Sequence, residues 1–468
     1  MAAGAAAAAG ASTLTVTARG QGVADATVSI PLTVNAAPQT GTAVRFGFCA
    51  PNVPAWVAVQ SGSGTWTRVT AGANNTYDFT VAGRGGVAYV EAGATSADLT
   101  VMYGSAAELQ AAGAAQCTLL RRGTKRVTGS VAGVGAQQFA QVSLGSASAF
   151  VLPALGTTFA LDSVEDGALT LLATRGVMDG AGQPGGGYTA DKVILRRNQN
   201  VAGGATIPAL DFEAAEAFVP ARAPLLVEGL AGGETANVGS GFFAGLLGGG
   251  FFAFTSGPAS QAYYALPADR LAAGELQYLT ISAGPDDGSQ MRGLFQYFRT
   301  PADRTVTLGP VLGAPTVTTE ASPYLRPRVQ LASQPRYDGA VTADFTQTTR
   351  SAAVSVTAAY LGGAAPAAWD VAVPDLSGVA GFEVAWGLRP ATATGYSVSA
   401  YGGNVGSVLG NAPAENDVFY YASRKGQIGA GEAPSRMSRQ TVAARGATPA
   451  ERLAQRAARV AAASPFAR

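Results

Sequence analysis

The chain has 468 residues, too many for one hydrophobic core and enough for three or four domains of ordinary size. Charged residues make up 13% against the usual quarter or so, the AVILMFWYC set 47%, and Gly contributes 61 residues, which excludes a disordered chain or a coiled coil. Lys and Arg number 31 against 30 Asp and Glu, so a formal charge of +1 supplies no long-range field for nucleic acid or an anionic membrane, and the lack of any histidine removes Ser-His-Asp triads, Cys-His pairs and every His-ligated metal.

The first twelve residues, MAAGAAAAAGAS, have the apolar character of a signal peptide without its basic start; they read as a trimmed signal or low-complexity leader, outside the fold. Residues 13–122 then run through STLTVTA, ATVSIPLTV, AVRFGFC, AWVAVQ, TWTRVT, TYDFTVA, GVAYVEA and DLTVMYG. Short Val/Thr/Tyr/Phe runs between turn residues, with almost no helical periodicity, predict a β-sandwich. Cys49 and Cys117, the only cysteines, are too far apart for C-x-x-C chemistry. Their places in one inferred domain suit a disulfide and an oxidising compartment, two buried thiols being the alternative.

Within this unit PAWVAVQSGSGTWTRVT, residues 54–70, sets Trp56 and Trp66 on two strands around Ser61-Gly62-Ser63-Gly64. A two-residue loop at Gly62-Ser63 places Trp66 opposite Val59 and Trp56 opposite Val69, with the rings on opposite faces. A register slipped by one places Trp66 opposite Ala58 and Trp56 opposite Arg68, with both rings on one face. Of these two, only the second makes a double aromatic platform, able to stack on sugar rings with Arg68 beside it. The plainer expectation is that at least one ring is core.

CTLLRRGTKRV, with four basic residues between 121 and 126, reads as a solvated linker rather than a nucleic-acid patch. The second unit, 123–222, follows with RVTGSVAGVG, FAQVSLG, FALDSVEDGALTLLATR, DKVILRR and GATIPALDF. Its strand, F-x-L-x-x-V-x-x-G phrase and alternating strand resemble the carboxypeptidase-regulatory or transthyretin-like class of small sandwiches, a resemblance confined to this unit that implies a spacer module. GAGQPG, residues 180–185, has G-x-G-x-x-G spacing but leads into another strand, so it reads as a loop and not as a dinucleotide site.

A third unit, 223–322, contains FFAGLLGGGFFAF (242–254), too short and glycine-rich to span a membrane, and YYALPADRLAAGELQYLTISAG. A fourth, 323–430, contains AAVSVTAAYLG, AWDVAVPDLSGV and FEVAWGL, in which Trp369 and Trp386 are expected in the core. The proline-rich VPARAPL and GAPTVTTEASPYLRPR read as inter-domain connectors. Four Asp-Gly pairs, at 166, 179, 287 and 338, mark turns. Residues 431–468 form an Arg-rich tail, helical or disordered, in which TPAE (448–451) is a capping box at a helix start.

Phrases such as RFGFCAPNVPAWVAVQSGSGTWTRVT, GRGGVAYV, LDFEAAEAF and FEVAWGLRP resemble an uncharacterised group of exported multi-domain β-sandwich proteins of GC-rich bacteria, over most of residues 40–425. The resemblance implies export and a lipoprotein ancestry, although the chain lacks a lipobox cysteine; it implies no activity.

Carboxylates are the remaining route to catalysis: Glu165 with Asp166, Asp211 with Glu213 and Glu216, or Asp286 with Asp287, as acid and base of a glycoside hydrolase. GPDDGSQ and VEDGA look like hairpin tips instead, and neither has the D-x-D-x-D-G pattern of a calcium loop. The sequence therefore predicts an all-β fold of tandem Ig-like or transthyretin-like sandwiches, without catalytic residues, metal or cofactor, exported to the cell envelope or secreted. It expects polysaccharide or envelope proteins as partners and no nucleic acid. A carbohydrate-binding protein using exposed Trp is the first alternative, a carboxylate glycosidase the second.

Overall fold

The computed structural model describes residues 10–20, 23–34, 41–48, 53–120, 124–179, 187–243, 249–285, 287–404 and 413–429, and among these strands dominate, as expected. Strands β1 (Gly10–Gly20) and β2 (Val23–Val34) form a hairpin paired to no other described strand. The first unit proper comprises β3 (Thr42–Gly47), β4 (Trp56–Ser61), β5 (Thr67–Arg68), β6 (Thr76–Val81), β7 (Arg84–Ala92), β8 (Ala97–Ser105) and helix α1 (Ala106–Leu120). Cys117 lies on α1 and Cys49 outside the described residues, as do GAGQPG and the tail with its TPAE signal.

The second unit contains β9 (Lys125–Ala132), β10 (Gln138–Leu144), β11 (Ala147–Val151), β12 (Thr158–Val164), β13 (Leu169–Asp179), β14 (Gly187–Gln199) and β15 (Leu210–Asp211). The third contains β16 (Ala221–Glu228), β17 (Ala236–Phe243), β18 (Gly249–Gly257), β19 (Ser260–Ala265), β20 (Leu276–Ala283), β21 (Gln290–Phe298) and β22 (Arg304–Thr307). The fourth contains β23 (Thr316–Glu320), β24 (Arg326–Ala332), β25 (Ala340–Thr346), β26 (Arg350–Thr357), β27 (Ala368–Ala372), β28 (Thr394–Gly403) and β29 (Val418–Ile428).

The second and third units share one topology: a main sheet β11-β10-β13-β14 over a small sheet β12-β9-β15, and likewise β18-β17-β20-β21 over β19-β16-β22. The fourth repeats it as β26-β25-β28-β29 over β27-β24-β23, with β23 ahead of the repeat taking the place of the last strand. Alternating residues supply each core. Val127, Val142, Leu161 and Leu171 meet between the sheets of the second unit, and Leu225, Val238, Leu279 and Leu294 between those of the third.

The main sheets do not stop at unit boundaries. Through β14–β18, β21–β29 and a parallel β26–β8 ladder they join into one sixteen-stranded sheet, ordered second, third, fourth, first unit. Trp56, Ala88 and Val101 of the first unit therefore share a core with Val341, Val354 and Trp369 of the fourth. On the opposite face Val57, Tyr89 and Met102 pack with Phe46, Tyr77 and Leu109 of the strands β3 and β6 and helix α1.

Four expectations are corrected here. CTLLRRGTKRV is not a linker throughout: Cys117–Leu120 lie on α1, and Lys125, Arg126 and Val127 open β9, with Lys125 paired to Asp166. VPARAPL and GAPTVTTEASPYLRPR are not connectors but supply β16, β23 and the start of β24. Pro224 and Pro327 are tolerated because each precedes the point where its strand's second ladder begins, so its missing N–H leaves no bond unmade there. FEVAWGL does not alternate as a strand: Trp386 ends a 3-10 turn, half-buried, its ring perpendicular to that of Phe382.

Candidate functional site

The hairpin at Trp56 and Trp66 adopts neither expected register. Ala58 pairs with Arg68 and Val59 with Thr67, a slip in the opposite direction that leaves Gly62, Ser63 and Gly64 in the loop, with Gly62 at φ 59°. Even-numbered residues of β4 then share a face with Trp66, and both rings lie on the side of the sheet that meets the fourth unit. They are not equivalent. Trp56 is 2% exposed, its ring 5.1 Å from Phe382 and its Nε1 donating to the Ala380 carbonyl at 3.1 Å, so it is core. Trp66 remains half-buried at the margin.

Around Trp66 the two units build an aromatic ridge. Its ring stands 5.8 Å from Tyr103 of β8, and Tyr103 stands 5.1 Å from Tyr360, in the turn after β26. Gly86 of β7 makes room: a Cβ there would lie 2.8 Å from Trp66 Cη2 and 3.0 Å from Tyr103 Cδ1. The exposed Arg84 covers Tyr360 at 5.4 Å and donates to its carbonyl oxygen at 2.7 Å. Arg68, also exposed, lies against Gly381, whose φ of 76° and lack of a Cβ admit the guanidinium.

Two polar groups complete the site. Gln60 of β4 donates from Nε2 to the Gly64 carbonyl at 2.6 Å, while its Oε1 is buried and has no hydrogen-bond partner. Burial, then the neighbouring Tyr360 and Tyr324, push the Tyr103 hydroxyl well above the usual tyrosine range, so it stays a neutral donor. Flat ring faces beside guanidinium and hydroxyl groups can stack on and hydrogen-bond a polyhydroxylated ligand; no carboxylate belongs to this group.

Of the residues singled out in the sequence, Trp66 and Arg68 belong to this site and Trp56 lies beneath it. Tyr103, Tyr360, Arg84 and Gln60 were missed. Alternation in DLTVMYG already puts Tyr103 on the face of Leu99 and Val101, but Tyr360 arrives through the β26–β8 ladder, which no local signal encodes.

The candidate acids are engaged elsewhere. Glu165 is buried and accepts from the Ser146 N–H and hydroxyl; Asp166 pairs with Lys125 at 2.7 Å. Arg175 holds Glu213 together with Asp191, Arg196 holds Glu216, and Asp211 accepts the Glu213 N–H at 2.9 Å. Asp287 closes a turn onto the Ser289 N–H at 2.8 Å, and Asp286 lies outside the described residues. Among the described residues no cluster of three or more Asp, Glu or Cys is placed to hold a metal ion, and no helix is long and apolar enough to cross a membrane. Compared with models of protein families and with curated proteins, the chain matches none.

Proposed function

We propose that this is a non-enzymatic, extracytoplasmic protein of the cell envelope with a structural, surface-presenting role. The observation that carries the reading is the joining of four units through hydrogen-bonded strands and shared cores. Such joins fix the units relative to one another, where catalytic multi-domain proteins more often need a cleft that opens. The engagement of each described candidate carboxylate by an arginine, a lysine or a turn supports the same reading. Its test is fractionation of cells producing the full chain: recovery with the envelope or medium is expected, and recovery in the cytoplasm overturns the proposal.

A second reading, polysaccharide binding, is favoured by the Trp66 ridge with its unpartnered Gln60 Oε1. Acrylamide quenching of wild type, Trp56→Phe and Trp66→Phe, with and without a panel of bacterial and plant polysaccharides, decides it. Protection by a glycan that disappears in Trp66→Phe establishes the ridge as a sugar platform. Unchanged quenching with every glycan removes the reading.

A further inference from the structure

Six outer strands flank the repeated main sheets, and five of them are bonded to a neighbouring unit: β14 to β18, β21 to β29, and β26 to β8. The sixth, β11, pairs among the described residues with β10 alone. Its sequence, ASAFV, has no charge and no proline, so it lacks two of the devices that keep an exposed edge from recruiting another strand. Immediately after it Leu152 and Leu155 are 38% and 86% exposed.

The hairpin β1–β2 is incomplete in the complementary way. Its register sets Val28 on one face and Thr17, Thr27 and Ser29 on the other. Val28 is 60% exposed, and Thr27 and Ser29 are exposed too, so among the described residues both faces of the hairpin are open at these positions. A lone two-stranded ribbon is marginal in water.

We infer that the two are partners across molecules: the hairpin of one copy adds to the β11 edge of a second copy, extending its sheet and covering Leu152 and Leu155. Strand β1 is the one that adds, because β2 carries Pro31, which has no N–H to donate. A neighbouring strand on this edge is already the rule within the chain, since the equivalent edges β18 and β26 are each capped by one. The same chain's hairpin is poorly placed for the task. The eight residue steps from Val34 to Thr42 give it at most about 29 Å of tether to β3, and the first unit is at the other end of the sheet order, more than ten strand spacings of about 4.8 Å away along the sheet. Donor and acceptor being different surfaces, the contact is head-to-tail, and copies add to a chain or close into a ring.

Sedimentation velocity of the full chain over a concentration series tests this. Mass should rise with concentration, and Val28→Asp in the donor or Ser148→Lys on the exposed side of β11 should each weaken association by about tenfold or more. Leu155→Lys, at a position too exposed to disturb folding, should weaken it in the same direction; circular dichroism and melting temperature confirm that all three variants fold. An equimolar mixture of Val28→Asp and Ser148→Lys should form dimers that grow no further, since one retains the edge and the other the hairpin. A wild type that stays monomeric, association indifferent to these substitutions, or a mixture that forms no dimer would overturn the inference.

Discussion

Tyrosine laid over glycine recurs across this sheet. Tyr278 sits opposite Gly241, Tyr421 opposite Gly293, Tyr396 opposite Gly426 and Tyr103 opposite Gly86, and in each case a Cβ on the glycine would collide with the ring. Gly293→Ala should therefore cost about 1–3 kcal/mol, read as a lower midpoint in denaturant, whereas Gly204→Ser, in open space, should cost less through its positive φ alone. Burial pushes Tyr421 up to about 12, against opposing hydrogen bonds from Ser282 and Thr280. The sign follows from the raised value: the folded state holds this proton more tightly, so its contribution is whole below the ordinary value of 10.0 and is lost as pH rises towards 12. Tyrosinate absorbance should appear together with unfolding in that window; titration of Tyr421 in a still-folded protein would contradict the placement. None of these pairs is visible in the sequence, because which tyrosine meets which glycine depends on strand register.

Helix α1 has no counterpart among the elements expected from the sequence. Ser105 and Glu108 cap it reciprocally, Glu108 N–H to Ser105 Oγ at 3.2 Å and Ser105 N–H to Glu108 Oε2 at 2.8 Å, and Glu108 also accepts from Thr357 in the fourth unit at 2.7 Å. SAAE is the same signature as TPAE at 448–451, but the Ala and Gly behind it blur the helical period. Ser105→Ala should cost about 1 kcal/mol in chemical denaturation, and Glu108→Ala more, since it also releases Thr357. Strands with Val/Thr/Tyr alternation were legible, and so was the turn at Asp287-Gly288, where Gly288 has φ 65°. Proline misled where it stands just ahead of a ladder, and FEVAWGL misled because apolar content alone does not distinguish a strand from a 3-10 turn.

For the molecule as a whole, the shared cores predict one cooperative unfolding transition, with calorimetric and van't Hoff enthalpies in agreement; four separable transitions would show that the joins are weak. The second and third units are also clamped by Arg197, whose Nε and Nη2 each reach Glu275 at 2.6 Å. Burial opposes ionisation of Glu275, but Arg197, the Ala272 N–H and Arg299 together hold it below its ordinary 4.5. With the folded value depressed, the clamp is intact above 4.5 and fails as pH falls through the lower value. Glu275→Gln should lose about 3 kcal/mol near neutrality and show a flatter acid dependence, measured by thermal melts across that range.

The parallel ladder between β26 and β8 also sets an order of events. Of the four units, the one that precedes the others in sequence occupies the last place in the sheet, and Trp56 finds the Ala380 carbonyl 324 residues further on. Until the fourth unit has emerged, one whole face of β4, β7 and β8 has no cover, and a loop of this span closes slowly. Completion of the first unit is thus a report that residues as far as 380 have arrived, and a chain cut short before residue 380 should carry that unit with its Trp56 open to quencher.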